Sequence, residues 1–145
     1  MFFEKPWIRV IAVSCAFMLM EAVRAPFTVF PLLNQHFLSI GVSPPADVSE
    51  WGAVTWVVWL IWLAIAIACI IIFSDLNEYK YGSGWSSMLR AASLVWAATF
   101  GIIWLSMFNL DLASAQVLAV ALPGSLLEVI VLCWITFKWP HQKDT

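Results

Sequence analysis

Four long apolar stretches, separated by short polar segments, restrict what this chain can fold into. Each is long enough to cross the hydrocarbon core of a bilayer, which takes about 20 helical residues. Inside a bilayer the backbone must satisfy its own hydrogen bonds, so such stretches fold as helices. The sequence therefore predicts an all-α, polytopic membrane protein with a single domain over residues 1–145. Its four transmembrane helices form an antiparallel bundle, with spans at about residues 7–33, 51–73, 87–110 and 115–139.

The composition agrees with a membrane-embedded chain. Hydrophobic residues make up 63% of the 145 residues and charged residues 11%, whereas soluble domains carry about a quarter charged residues. The net charge of -2 provides no basic surface for nucleic acid. We therefore expect the lipid bilayer to surround the chain, and we expect no binding of nucleic acid.

Basic residues lie in alternate connecting segments. Six of the seven lie at the start of the chain, around the connection between the second and third spans, or at the end of the chain: Lys5, Arg9, Lys80, Arg90, Lys138 and Lys143. By the positive-inside rule, this distribution predicts that both termini are cytoplasmic. The expected location is a plasma membrane or a bacterial inner membrane.

The remaining basic residue, Arg24, lies inside the first apolar stretch with Glu21, and Glu128 lies near the middle of the fourth. Charged groups at this depth cost about 3 kcal/mol or more unless they find partners or water. At about 1.5 Å per residue, Glu21 lies about 18 Å above Arg9 and Glu128 about 15 Å above Lys138. The similar depths predict an intramembrane polar cluster of Glu21, Arg24 and Glu128.

Three interpretations of this cluster are open. It is a buried ion pair that specifies which helices pack together, or a polar path in which Glu21 or Glu128 exchanges a proton or holds a cationic or polar substrate. In the third interpretation, Arg24 binds an anionic headgroup, a quinone oxygen or a charged group of another subunit.

Two ordered faces run along the third span. Ser93, Ala97 and Gly101 recur at steps of four, which is typical of a helix-packing face because small residues let backbones approach closely. An aromatic face lies beside it and continues on the second span; its members are Trp59, Trp62, Trp96, Phe100 and Trp104. Packing or lipid contact is the usual role of such rings, and a hydrophobic or planar ligand at this tryptophan-rich face is the alternative.

Prolines interrupt two of the predicted helices. Pro26 predicts a helix kink in the first span, and Pro123 with Gly124 predicts one in the fourth, because proline cannot donate a backbone hydrogen bond. The segment at Pro123 is either a packing kink or a discontinuous helix whose freed backbone groups line a site.

No motif typical of an active site, a nucleotide site or a metal centre is present. His36 and His141 lie near segment ends, so a haem held by two histidines lacks ligands, and no cofactor is implied. We expect a non-enzymatic integral membrane protein that acts by helix–helix assembly, as an accessory or structural subunit of a larger complex or as a homo-oligomer. The alternative is a small oligomeric transporter or proton-coupled carrier that uses Glu21, Arg24 and Glu128.

Overall fold

The structure is a computed structural model, and it describes residues 6–43 and 52–138. All regular secondary structure in these two ranges is helical, and short turns connect the helices. It comprises six α-helices and two π-helical turns: α1 (Pro6–Arg24), π1 (Ala25–Val29), α2 (Phe30–Ser39), α3 (Ala53–Tyr81), α4 (Trp85–Trp96), π2 (Ala97–Gly101), α5 (Ile102–Asn109) and α6 (Ala115–Lys138).

These elements form four continuous helical spans that are long and apolar enough to cross a membrane. We call them the first to fourth spans: Trp7–Ser39, Ala53–Tyr81, Trp85–Asn109 and Ala115–Phe137. The predicted all-helical class and the four apolar spans are thus confirmed for the described residues. The predicted span limits at Trp51 and Trp139 lie outside those residues, as do Lys5, His141 and Lys143.

The predicted span limits leave residues 74–86 as a loop, but the second span continues to Tyr81 and the third begins at Trp85. Helix α3 continues to Tyr81, and Gly82, with a φ of 81°, ends it in the left-handed conformation that suits glycine. Polar groups here have partners within the helical hairpin, since the hydroxyl of Ser87 donates to the carbonyl of Asn77 at 2.8 Å. Asp75 accepts a hydrogen bond from Arg9 at 2.6 Å. The loop prediction was therefore wrong except at the turn itself.

The first span extends to Ser39, beyond its predicted end at residue 33, and contains π1. Pro26 lies in this turn, and the N–H of Phe30 donates to the carbonyl of Ala25, five residues earlier. A wider turn accommodates the missing N–H of proline without ending the helix. At the far end, the ring Nε2 of His36 lies 2.7 Å from the carbonyl oxygen of Asp111, which joins the first span to the turn before the fourth.

The fourth span passes through Pro123 as a single α-helix of 24 residues. A discontinuous helix at Pro123 and Gly124 is therefore ruled out for this structure. Loss of one backbone hydrogen bond leaves the remaining ladder in place, and neighbouring helices pack around the position at Ala121 and Ser125, both buried.

The fourth span is the centre of the bundle and packs against the other three. The third span packs closely on both the second and the fourth, whereas the first span contacts mainly the fourth. The buried core contains side chains from all four spans: Val13, Phe17, Leu63, Ala66, Ile70, Met88, Ala91, Ala92, Val95, Phe100, Val129, Leu132, Cys133 and Phe137. First and fourth spans are thus neighbours, as the polar cluster requires.

The small-residue face predicted on the third span is not a packing face within the chain. Gly101 is buried, but Ser93 and Ala97 are exposed. A π-helical turn contains more residues than an α-helical turn. Across π2, a step of four residues therefore does not return to the same face, and Gly101 lies on a different face from Ser93 and Ala97. The face that packs inward consists of other residues: Met88, Ala91, Ala92, Val95, Thr99 and Phe100.

Candidate functional site

The structure brings Glu21, Arg24 and Glu128 into contact. Arg24 ends α1, Glu21 lies three residues earlier on the same helix, and Glu128 lies in the middle of α6. The guanidinium donates from Nη2 to Oε1 of Glu21 at 2.5 Å and from Nε to Oε2 of Glu128 at 3.1 Å. One arginine therefore binds a carboxylate from each of two neighbouring spans, and these charge-assisted hydrogen bonds join the first span to the fourth.

Both carboxylates lie against the same edge of the guanidinium. Nε and Nη2 are the donor pair that commonly binds both oxygens of a single carboxylate. Here each oxygen comes from a different residue, so the carboxylates of Glu21 and Glu128 bind neighbouring nitrogens of the same guanidinium. The arrangement thus combines one cation with two adjacent acids.

The cluster is largely removed from the surface, and two of its polar atoms are unpaired. The side chain of Glu128 is 1% exposed, and those of Glu21 and Arg24 are 16% and 17% exposed. Among the described residues, no hydrogen-bond partner reaches Nη1 of Arg24 or Oε1 of Glu128, although both atoms are buried. An unpaired buried polar group costs about 1–3 kcal/mol. Oε1 of Glu128 can therefore accept a proton or a hydrogen bond, and Nη1 of Arg24 can donate to a water or to an acceptor of a ligand.

A groove of about 460 Å³ between the first and fourth spans leads to the cluster. Arg24, Gly124 and Glu128 contribute to its lining. Its other lining residues are apolar: Leu19, Met20, Val23, Leu127 and Val131. Four of these five are exposed on the outside of the bundle, so the groove opens sideways, at the level of the apolar spans.

Gly124 lies against the cluster, a position that the sequence analysis missed. A Cβ atom here would lie 3.4 Å from Cδ and 3.6 Å from Nη1 of Arg24, at van der Waals distance, so the Arg24 side chain lies directly beside α6 at this residue. The signal was available in the sequence, because Gly124 precedes Glu128 by four residues and therefore lies on the same face of the helix.

Ser125 is a second residue that the sequence analysis did not single out as part of a site. It is fully buried, accepts a hydrogen bond from Nε1 of Trp96 at 3.0 Å, and donates to the carbonyl of Leu122 at 3.1 Å. This bond attaches the third span to the fourth beside Gly124. A serine three residues before a predicted buried carboxylate is the signal that could have identified it.

The predicted aromatic face lies within the bundle. Phe100 is buried, and the tryptophans Trp59, Trp62, Trp96 and Trp104 pack against the core as half-buried side chains. Trp62 and Phe100 meet edge to face with centroids 5.1 Å apart, and Phe17 lies 5.7 Å from Trp62. These contacts support packing as the role of the rings, none of which lines the groove.

No protein-family model, curated protein or solved structure matches this chain. Its function is therefore argued from the geometry of the cluster and its surroundings alone.

Proposed function

We propose that the four spans cross the membrane in antiparallel order with both termini in the cytoplasm, in a plasma membrane or a bacterial inner membrane. Residues 82–84 join the second span to the third, and so short a connection favours a reversal of direction. The ion pair of Arg9 with Asp75 holds the start of the first span against the end of the second. Arg9, Lys80 and Arg90 then fall on one side, as the positive-inside rule requires.

We further propose that the protein is not an enzyme and acts by helix–helix assembly, as an accessory or structural subunit or as a homo-oligomer. One observation carries this proposal: Ser93 and Ala97 lie one turn apart on the exposed side of the third span, opposite its packing face. Small side chains at this spacing let a helix of another chain approach closely. The hydroxyl of Ser93 already donates to the carbonyl of Leu89 within its own helix, at 2.8 Å, so such a contact buries no unpaired donor.

The substitution Ala97→Leu tests assembly, because the larger side chain holds the partner helix away. We expect the variant to be monomeric in nanodiscs at lipid ratios where the wild type is associated, as measured by native mass spectrometry. Ala98→Leu is the matched control, since Ala98 is equally an exposed alanine of π2 but lies on a different face. A wild type that is monomeric at every ratio, or equal effects of the two variants, would contradict the proposal.

A second candidate is a small oligomeric transporter or proton-coupled carrier that uses Glu21, Arg24 and Glu128. The specific observation in its favour is that a groove leads to acids held inside the spans, with Nη1 of Arg24 and Oε1 of Glu128 unpaired. Intramembrane acids in such positions are typical of proton relays.

Proton flux into liposomes that contain a pH-sensitive dye tests the carrier. We expect Glu21→Gln and Glu128→Gln to abolish a potential-driven flux while leaving assembly intact. A wild type without flux, combined with dissociation of the assembly by Arg24→Ala, would instead favour a purely structural role for the cluster.

A further inference from the structure

The groove between the first and fourth spans has the shape and charge of a ligand site. We infer that it binds a lipophilic monocation, namely an ammonium group on an apolar body, which enters from the membrane and displaces one proton from the Glu21–Glu128 carboxyl pair. This inference rests on the polar cluster of the carrier proposal, but it requires only binding and not transport.

The charge of the cluster selects a cation. With Arg24, Glu21 and Glu128 all ionised, one positive charge faces two negative charges. An uncompensated charge is costly in a low-dielectric interior, and two carboxylate oxygens on one guanidinium edge repel each other. One proton shared between the two acids makes the cluster neutral. A monocation in place of that proton keeps it neutral, whereas an anionic ligand would add a second uncompensated negative charge.

The unpaired oxygen of Glu128 supplies the hydrogen-bond acceptor. Oε1 is buried without a partner, and Glu128 lines the groove, so an N–H of the ammonium can donate to this atom. In the exchange, the O–H bond of the shared proton breaks, the proton leaves to water, and the ammonium forms an N–H···O hydrogen bond with the carboxylate. No other bond changes, and no oxidant or further reactant is needed.

The walls of the groove select an apolar body. Leu19, Val23, Leu127 and Val131 form an exposed apolar rim around the polar floor. A volume of about 460 Å³ accommodates a group much larger than ammonium, such as a bicyclic ring. Because the rim lies within the spans, a ligand dissolved in the membrane reaches it without crossing water.

The ionisable groups at this site are Glu21 and Arg24 from the first span and Glu128 from the fourth. The ionisable residues described on the second and third spans begin with Cys69. They lie nearer to the end of the bundle at which Arg9 forms its ion pair with Asp75. Cys133 of the fourth span is buried in the core. Proton exchange at the groove is therefore attributable to the three clustered residues.

Binding of two matched probes to the full chain in nanodiscs tests the inference. Naphthylmethylammonium is cationic and naphthylmethanol is its neutral counterpart; equilibrium dialysis against empty nanodiscs removes the contribution of lipid partitioning. We expect the ammonium to bind at least about tenfold more tightly than the alcohol, because its positive charge interacts with a carboxylate in a low-dielectric site. Calorimetry in two buffers of different ionisation enthalpy should show release of about one proton per ammonium bound.

Two substitutions distinguish the contribution of the Glu128 charge from that of the apolar walls of the groove. Glu128→Gln should weaken ammonium binding at least about tenfold and abolish proton release, whereas Asp111→Asn, which removes a carboxylate outside the spans, should change neither. Leu127→Trp should fill the groove and weaken binding, and Leu105→Trp on the exposed side of the third span is its control. Thermal unfolding of each variant shows whether it is folded. Glu21→Gln tests independently whether the second acid of the carboxyl pair is needed for ammonium binding.

Equal affinities for the ammonium and the alcohol, ammonium binding without proton release, or full affinity in both Glu128→Gln and Leu127→Trp would overturn the inference. The carrier proposal fails separately. Binding with proton release but without flux retains the ligand site and removes the carrier, whereas proton flux without ammonium binding retains the carrier and removes the ligand site.

Discussion

The first and third spans meet the central fourth span in different ways. The third span contributes small side chains, among them Ala91 and Ala92, to the closed apolar core that it shares with the fourth, and the indole N–H of Trp96 donates a neutral hydrogen bond to Ser125 of the fourth. The first span also packs on the fourth with apolar side chains such as Val29, but it adds charged groups beside an open groove. Apolar packing tolerates many partners within a membrane, whereas a buried charge requires a particular one. The contrast indicates that the two interfaces respond differently to loss of a single side chain.

We expect the largest effect from Arg24→Ala, which leaves two acids facing each other without a cation. Removing one partner of a buried ion pair costs about 3–5 kcal/mol in free energy of unfolding. Equilibrium unfolding in mixed detergent micelles would measure the loss.

Arg9→Ala provides the comparison for Arg24→Ala. Its ion pair with Asp75 is partly exposed, with Asp75 at 53%, so we expect a loss of at most about 1 kcal/mol. If the two arginine substitutions lower the free energy of unfolding equally, the interface between the first and fourth spans does not depend specifically on Arg24.

Phe100→Ala tests the closed apolar core, where its ring packs against Phe17 and Trp62, and should have the next largest effect. The lipid is as apolar as the phenyl ring, so the transfer of that ring contributes little and the cavity left behind dominates. For a cavity of roughly 100 Å³ we expect a cost of about 2 kcal/mol. Phe27→Ala, at an exposed position of π1, should be close to neutral in the same unfolding measurement. A neutral Phe100→Ala would mean that the rings contribute no packing energy.

The contrast between the interfaces also explains what the sequence could predict. Three ionisable groups in apolar stretches have few possible partners, so depth alone was sufficient to predict that Glu21, Arg24 and Glu128 meet. The packing stripe of Ser93, Ala97 and Gly101 depended on an uninterrupted helical repeat. The π2 turn changes that repeat, and no residue type in the sequence marks its position.

Two further differences have related causes. The charged residues after Phe73 predict that the second span ends there, but a helix can continue beyond the apolar layer when its polar groups have partners, as Asn77 and Asp75 do. The sequence predicts a kink or a break in α6 at Pro123 and Gly124. The helix is continuous through both residues, so it does not break, and Gly124 lies beside the side chain of Arg24.

The smallest predicted effect concerns the neutral hydrogen bond between the third and fourth spans. Ser125→Ala removes the acceptor of the Trp96 indole N–H, and interhelical hydrogen bonds in membranes contribute about 0.6 kcal/mol on average. The double-mutant cycle with Trp96→Phe isolates this contribution from the loss of the indole ring, and detergent unfolding measures it. A coupling as large as the effect of Arg24→Ala would show that the third span is also held by a specific polar contact, and the distinction between the two interfaces would then be one of charge alone.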